Sequence, residues 1–402
     1  MNVLLSGLKI VSFCHFLQGP ASMQYLADMG ADIVKIEPPH GAFERHWAGA
    51  NRAKVAGVSA FFLCANRNVR SLALDLKHPA AKEVVFRLIE RSHAVAENFR
   101  PGALARLGFG YDAVRSRKPD VIYASASGFG SSGPYSARPG QDLLIQAMSG
   151  LVNGQGTATE PTAIGCAAVD QHGAALLALG IAGAYARWLG TGQGTHVEAT
   201  LLGAGVDLQM ESIVTYHASK LGLDAFDRDR RLATWFHEAP YGVYRTRDSH
   251  VAISLNEVRT IAEALDSDPL RAFAGRNAYH ERDDLAQAVA AEVARRSFAE
   301  LAAAFDAKGI WYARVENYDD LVVNPQLAHN GAFFDAPVHD ATVKLTSHPL
   351  RYDGAVPEFH GFALTPGAHT RAVLADAGYG EAEIAELLND KVAFDGVATD
   401  RT

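Results

Sequence analysis

The stretch LKIVSFCHFLQGPASMQYLADMGADIVKIE, Leu8 to Glu37, decides the fold. Leu8 to Phe13 is a short apolar run, Ala21 to Met29 carries helical spacing, and Asp32 to Ile36 is a second apolar run rich in β-branched residues. That order predicts a β-α-β unit. Outward from it, Val84, Val85, Leu88 and Ile89 recur at helical spacing after Lys77-His78-Pro79, and Val121 to Ala126 reads as another strand. Alternation of this kind implies an α/β fold built on a Rossmann-like, doubly wound parallel sheet.

Further along, Gly173 to Leu189 is rich in alanine and leucine and is followed by Gly190, Gly192 and Gly194, then by Thr195-His196-Val197-Glu198. A buried helix with a glycine stop, leading into a strand, accounts for this. Around Phe226 to Arg231 the composition turns charged, and Tyr241 to Leu255 then alternates like a strand, which places a domain change near 225. Helical patterns follow at Arg259–Leu265, Asp283–Arg295 and Phe298–Asp306. Extended segments return at Trp311–Val315 and Phe333–Leu345, and the last helices are expected at Thr370–Ala377 and Glu381–Leu388.

With 402 residues, two domains are expected. Hydrophobic residues at 48% and charged residues at 20% describe a globular chain, and a formal charge of -8 gives no electrostatic footprint for nucleic acid or an anionic membrane. Met1 to Val11 lacks a basic segment leading into an apolar run, so a cytoplasmic location is expected. Cys14, Cys64 and Cys166 are odd in number and far apart, which reads as buried thiols rather than a disulfide framework or a metal motif.

Gly128-Phe129-Gly130-Ser131-Ser132-Gly133 fits a dinucleotide-binding pattern, but Pro134 stands where a helix must open, so a flexible loop beside a pocket is expected instead. The histidine spacings supply no ligand set for a catalytic metal, and neither a Gly-x-Ser-x-Gly elbow nor a Walker loop is present. What remains is Asp170 in Gly165-Cys166-Ala167-Ala168-Val169-Asp170-Gln171-His172-Gly173, between an apolar run and an apolar helix. By pattern this is an N-cap, whose carboxylate accepts helix N–H groups. A carboxylate held ionised at a helix N-terminus is also able to attack a thioester, and both readings stay open on these residues.

Several pieces occur in order. They are Leu8-Lys9-Ile10-Val11, Gln18-Gly19-Pro20, Leu26 to Glu37, Asn66 to Lys77, Glu97 to Gly102, Gly140-Gln141-Asp142, the Asp170 segment, Thr191 to Gly194 and Pro366 to Thr370. As an ordered set the chain resembles the class III CoA-transferases, the group of formyl-CoA transferase and carnitine CoA-transferase. The resemblance implies that Asp170 is a covalent nucleophile that carries CoA between carboxylic acids through an aspartyl anhydride and an aspartyl-CoA thioester. It implies CoA-binding roles for Asn98 and Phe99 near the pantetheine, Arg106 and Leu107 near the adenine, and Leu74 and Lys77 along the nucleotide. The resemblance also implies that Arg138 and Asp142 stand near the ligand and active site, and the chain at Gln18-Gly19 and the Gly128–Gly133 loop are oxyanion-donor candidates. Gln18 itself falls one residue after the family's active-site glutamine position, which Leu17 occupies.

The same resemblance implies an interlocked, ring-like homodimer with a large domain of residues 1–224, a small α+β domain of 225–325, and 326–402 returning to the large domain. The expected partners are acyl-CoA and acid substrates, with no cofactor beyond the CoA thioester, no metal, no nucleic acid and no membrane. Relatives of the formyl-CoA type carry a glycine run over the site; Phe226 to Leu255 has none and holds His237-Glu238-Ala239-Pro240-Tyr241-Gly242. His15, Arg45, His46 and His237 suggest cationic contacts to a second carboxylate, hence a short C4 to C5 dicarboxylic acid. Two other readings compete. An α-methylacyl-CoA racemase of the same fold needs an acid/base pair, and its pattern has a histidine where this chain has Gln141. A non-catalytic acyl-CoA-binding protein would have no use for Asp170.

Overall fold

The computed structural model describes residues 4–396, which form two compact units. Residues 1–145, 167–205 and 325–402 make the larger one. Its sheet contains β1 (Lys9–Ser12), β2 (Asp32–Glu37), β3 (Arg70–Leu74), β4 (Ala94–Glu97), β5 (Ile122–Ser127), β6 (Thr195–Thr200) and β7 (Ala393–Phe394). In space the order is β7-β3-β2-β1-β4-β5-β6, parallel throughout except for the edge strand β7. The expected parallel-dominated α/β sheet is therefore present.

Side-chain alternation explains its two cores. Ile10 pairs with Ile33 and Val11 with Val34 across β1 and β2. Leu8, Ile10 and Ile33 point to one face, where α1 (Gln18–Asp28) and α4 (Ala168–Thr191) supply Met23, Leu26, Leu177 and Ile181. Val11, Val34 and Leu72 point to the other, against α2 (Pro79–Glu90) and α5 (Thr370–Asp376), which supply Val84, Val85, Leu88, Val373 and Leu374. Each such fully buried aliphatic contributes about 1.5–3 kcal/mol relative to exposure. A fifth helix, α3 (Asp142–Met148), lies in chain order between α2 and α4.

At 24 residues, with an 18-residue window of mean hydropathy 1.2, α4 is by length and composition apolar enough to cross a membrane. Here Val169, Gly173, Leu177 and Ile181 are buried in the unit. It ends as its sequence suggests: Gly192 takes φ +67° and its N–H bonds to the Trp188 carbonyl at 2.7 Å, a conformation that disfavours any residue with a Cβ.

The smaller unit takes two segments, 146–166 and 206–324, so it begins before 225 and includes an excursion from the middle of the chain. Gly242–Arg245, His250–Ile253 and Tyr312–Arg314 form an antiparallel sheet packed on the helices Arg282–Ala294 and Phe298–Asp306 through Tyr244, Val251, Ile253, Leu285, Val289 and Phe305. The single strand expected over Tyr241 to Leu255 is a hairpin. Thr246 Oγ1 accepts the Ser249 N–H at 2.7 Å, and that turn folds the segment back. Of the thiols expected to be buried, only Cys14 is; Cys64 and Cys166 are exposed.

Candidate active site

The sequence around Asp170 builds its surroundings through one close approach. Gly173, one turn after Asp170 on α4, faces Gln18, the first residue of α1; a Cβ at 173 would sit 2.6 Å from Gln18 Nε2. The glycine thus lets the two helices meet. Gln18 is 4% exposed, and its Nε2 has no hydrogen-bond partner. Next to it Leu17 packs with Ala174, Ala167 and Phe61, tying the start of α1 to the start of α4.

Asp170 is not the N-cap. It is the third residue of α4, and Ala167 at the cap position has no side chain to offer. The cap is Asp142, whose Oδ1 accepts the Val169 N–H at 2.9 Å and the Asp170 N–H at 3.0 Å. The helix donors that were expected to hold Asp170 ionised are therefore on its neighbour, and no hydrogen-bond donor is seated on the Asp170 carboxylate among the described residues. Burial, and secondarily the Asp142 charge, push the Asp170 carboxyl up from the usual aspartate range to about 7. A poorly solvated carboxylate without donors is a stronger nucleophile than a capped one, provided the pH is high enough to ionise it.

Before α1 the chain makes a sharp bend. Phe16 adopts φ +62°, a conformation that costs a bulky residue about 1–2 kcal/mol. Asn98 holds the bend from one side, accepting the His15 N–H at 2.8 Å and donating to the His15 carbonyl at 2.7 Å. From the other side Glu44, fully buried, accepts the Phe16 N–H at 3.2 Å and pairs with Lys35. The His15 ring lies 4.7 Å from Phe99, and its Nδ1 is buried without a partner. Burial lowers the His15 pKa, so its ring stays neutral at physiological pH.

The other expected site residues divide. Gln18, Asn98 and Phe99 converge on this bend, but the Asn98 amide is engaged by backbone. Leu74 is fully buried, so its side chain belongs to the core. Lys77, Arg106 and Arg138 are exposed, Arg138 stacked 4.3 Å above Tyr135, and Leu107 is partly buried against the core. Of the cationic groups expected for a second carboxylate, Arg45 bonds both Glu37 oxygens at 2.6 Å and the Leu364 carbonyl at 3.0 Å. His46 Nε2 donates to the His40 carbonyl at 2.7 Å. His237 lies in the smaller unit, bonded to Thr234 Oγ1 at 2.8 Å.

Sequence reasoning passed over Glu97 as a site residue. It lines a cavity of about 160 Å³ with Phe99, Tyr111, Tyr123, Ser125 and His196, at the ends of β4, β5 and β6, and the Gly128–Gly133 loop contributes Ser131 to its rim. Burial pushes the Glu97 carboxyl up to about 7. The run Glu97-Asn98-Phe99 marked the place; nothing in it marked the burial.

Comparison with known proteins identifies the family. The family model described as CoA-transferase family III matches residues 5–370. An acyl-CoA transferase of Fusarium pseudograminearum is 29% identical over 96% of this chain and 88% of its own. A succinyl-CoA:mesaconate CoA-transferase of Haloarcula hispanica is 28% identical over 94% of this chain and 97% of its own. Among solved structures, a CAIB/BAIF family protein from Brucella suis superposes with a TM-score of 0.82 at 26% identity, covering 94% of this chain and 100% of that one.

Proposed function

The chain belongs to CoA-transferase family III, and from that premise we propose that it moves CoA from an acyl-CoA donor to a free carboxylic acid with Asp170 as nucleophile. The observation that carries this reading is the Asp170 carboxylate itself, half-buried, without a hydrogen-bond donor among the described residues, and raised to about 7 at the start of α4.

In the proposed cycle the Asp170 carboxylate attacks the donor thioester carbonyl, and the C–S bond breaks to leave an aspartyl-acyl anhydride and CoA thiolate. The thiolate attacks the aspartyl carbonyl, expels the donor acid, and leaves CoA on Asp170 as a thioester. The acceptor carboxylate attacks that thioester, releasing thiolate. Attack of the thiolate on the acceptor carbonyl then yields the new acyl-CoA and frees Asp170. Each step passes through a tetrahedral oxyanion. The unpartnered Gln18 Nε2 and the backbone N–H groups of Gln18 and Gly19 at the start of α1 are the donors we assign to it, while Asp142 keeps the α4 terminus in place. Asn98 and Phe99 shape the bend along which the pantetheine runs, and Lys77, Arg106 and Arg138 supply exposed cations for the CoA phosphates.

We further propose that two chains interlock as a homodimer, a reading supported by the apolar residues α4 leaves exposed, Leu179 and Leu189. The racemase alternative is separated by one experiment. With donor acyl-CoA and a labelled acceptor acid in D2O, a transferase forms acceptor acyl-CoA and leaves the α-carbon unlabelled. A racemase incorporates α-deuterium and transfers nothing.

A further inference from the structure

Three exposed aromatic rings form a continuous series, an aromatic wall, beside the bend before α1. Phe16, Phe43 and Trp47 are 46%, 48% and 46% exposed, unusual for three large rings that touch one another. Their centroids lie 4.8 Å apart for Phe16 and Phe43 and 6.3 Å for Phe43 and Trp47. The series continues at both ends. Trp47 meets Phe61 edge-on at 4.8 Å, and Phe16 meets His15 at 4.8 Å, with Phe99 beyond it at 4.7 Å. Phe61 packs in the cluster that joins Leu17 to Ala167 and Ala174, on either side of Asp170 in sequence. The wall therefore runs from the nucleophile's helix to the Asn98–Phe99 bend, and the strained φ of Phe16 is what turns its ring outward into the series.

Several cations of the same unit are already paired. Lys35 is bound by Glu44 and Asn66, Arg45 by Glu37, and Arg67 by Asp28 at 2.6 Å. Burial keeps His15 neutral, and His46 is turned to a carbonyl. Arg52 and Lys54, on the segment after Trp47, are exposed to solvent. A second carboxylate laid on the three rings themselves would meet ring faces, and its exposed cationic partners would be Arg52 and Lys54 further along the chain, whereas an aromatic ring would find edges and faces at the tilts aromatic pairs favour.

On the reading that Asp170 is acylated, we propose that Phe16, Phe43 and Trp47 form the acyl-binding wall and that the enzyme prefers an aromatic, singly charged acid over a short dicarboxylic one. The C4 to C5 dicarboxylic acid expected from the sequence is the rival that the test must separate from it.

The test uses the full chain carrying Asp170→Asn, which binds without turnover, so it does not depend on transfer. Calorimetric titration with phenylacetyl-CoA, hexanoyl-CoA and succinyl-CoA is expected to rank them in that order, with at least about tenfold between first and last. In the same background Trp47→Ala and Phe43→Ala are expected to close that gap while leaving succinyl-CoA affinity within about twofold; Phe43→Leu, which keeps the apolar area, is expected to close it only in part. Tighter succinyl-CoA binding, or equal weakening of all three ligands, overturns the proposal. So does a change in oligomeric mass on gel filtration without a change in ranking, since the wall would then be an interface between copies. If the ranking holds but the native enzyme forms no acceptor acyl-CoA, the wall stands and the transferase reading falls.

Discussion

Asp142→Asn isolates the electrostatic part of Asp170's environment. Asn keeps an oxygen that accepts the Val169 and Asp170 N–H groups, so the α4 cap survives, but the charge beside Asp170 is gone. Asp170 is raised from 3.8 to about 7, with burial the larger cause and Asp142 the smaller. Burial comes first, so the Asp142 share is less than half of that rise, below about 1.6 pH units. Only the ionised carboxylate attacks, so kcat/KM of the wild type should climb about tenfold per pH unit below a limb near 7 and level off above it. In Asp142→Asn that limb should move down, by less than half of the rise above 3.8, with the plateau reached earlier. The sign for stability is opposite. Folded Asp170 holds its proton more tightly than the unfolded chain, so its contribution to stability falls as pH rises from about 4 to about 7. The assay is the pH profile of acyl-CoA exchange in both proteins between pH 5 and 9. An unmoved limb in the variant, with the fold intact by circular dichroism, refutes the charge argument.

Other perturbations reach different links. Gly173→Ala places a methyl 2.6 Å from the Gln18 amide and should cost about 1–3 kcal/mol in urea unfolding while lowering exchange by moving that amide. Asn98→Ala removes both bonds to His15 and should destabilise by about 1–3 kcal/mol, with faster amide exchange at His15, measured by hydrogen–deuterium exchange. Ile33→Ala empties a site that is 1% exposed between β2 and α1 and should cost about 2–5 kcal/mol in thermal or urea unfolding without shifting the pH limb.

Local pattern carried most of the large unit. β1, α1, β2, α2, β5, α4 and β6 follow from spacing within a few residues, because each buries one face against the sheet and must repeat its apolar positions accordingly. β4, Ala94-Val95-Ala96-Glu97, is too short and too poor in β-branched residues to stand out, and β7 is two residues long. The excursion of residues 146–166 into the smaller unit depends on contacts distant in sequence, so composition near 225 could mark only part of the boundary. At the site, the position of Asp170 was legible and its state was not. The residue that caps α4 lies 27 positions before Val169, and a cap brought from that far leaves no local signature. For the same reason Arg45 and His46 read as open cations in sequence, although Glu37 and the His40 carbonyl occupy them in the fold.

The central claim is that Asp170 carries CoA covalently. Intact-protein mass spectrometry after brief exposure to an acyl-CoA, on wild type and Asp170→Ala, tests it most directly. The account predicts a CoA adduct on the wild type alone, discharged by an acceptor acid with formation of its CoA ester. An unmodified wild type under conditions where acceptor acyl-CoA accumulates, or an adduct that persists in Asp170→Ala, would contradict it.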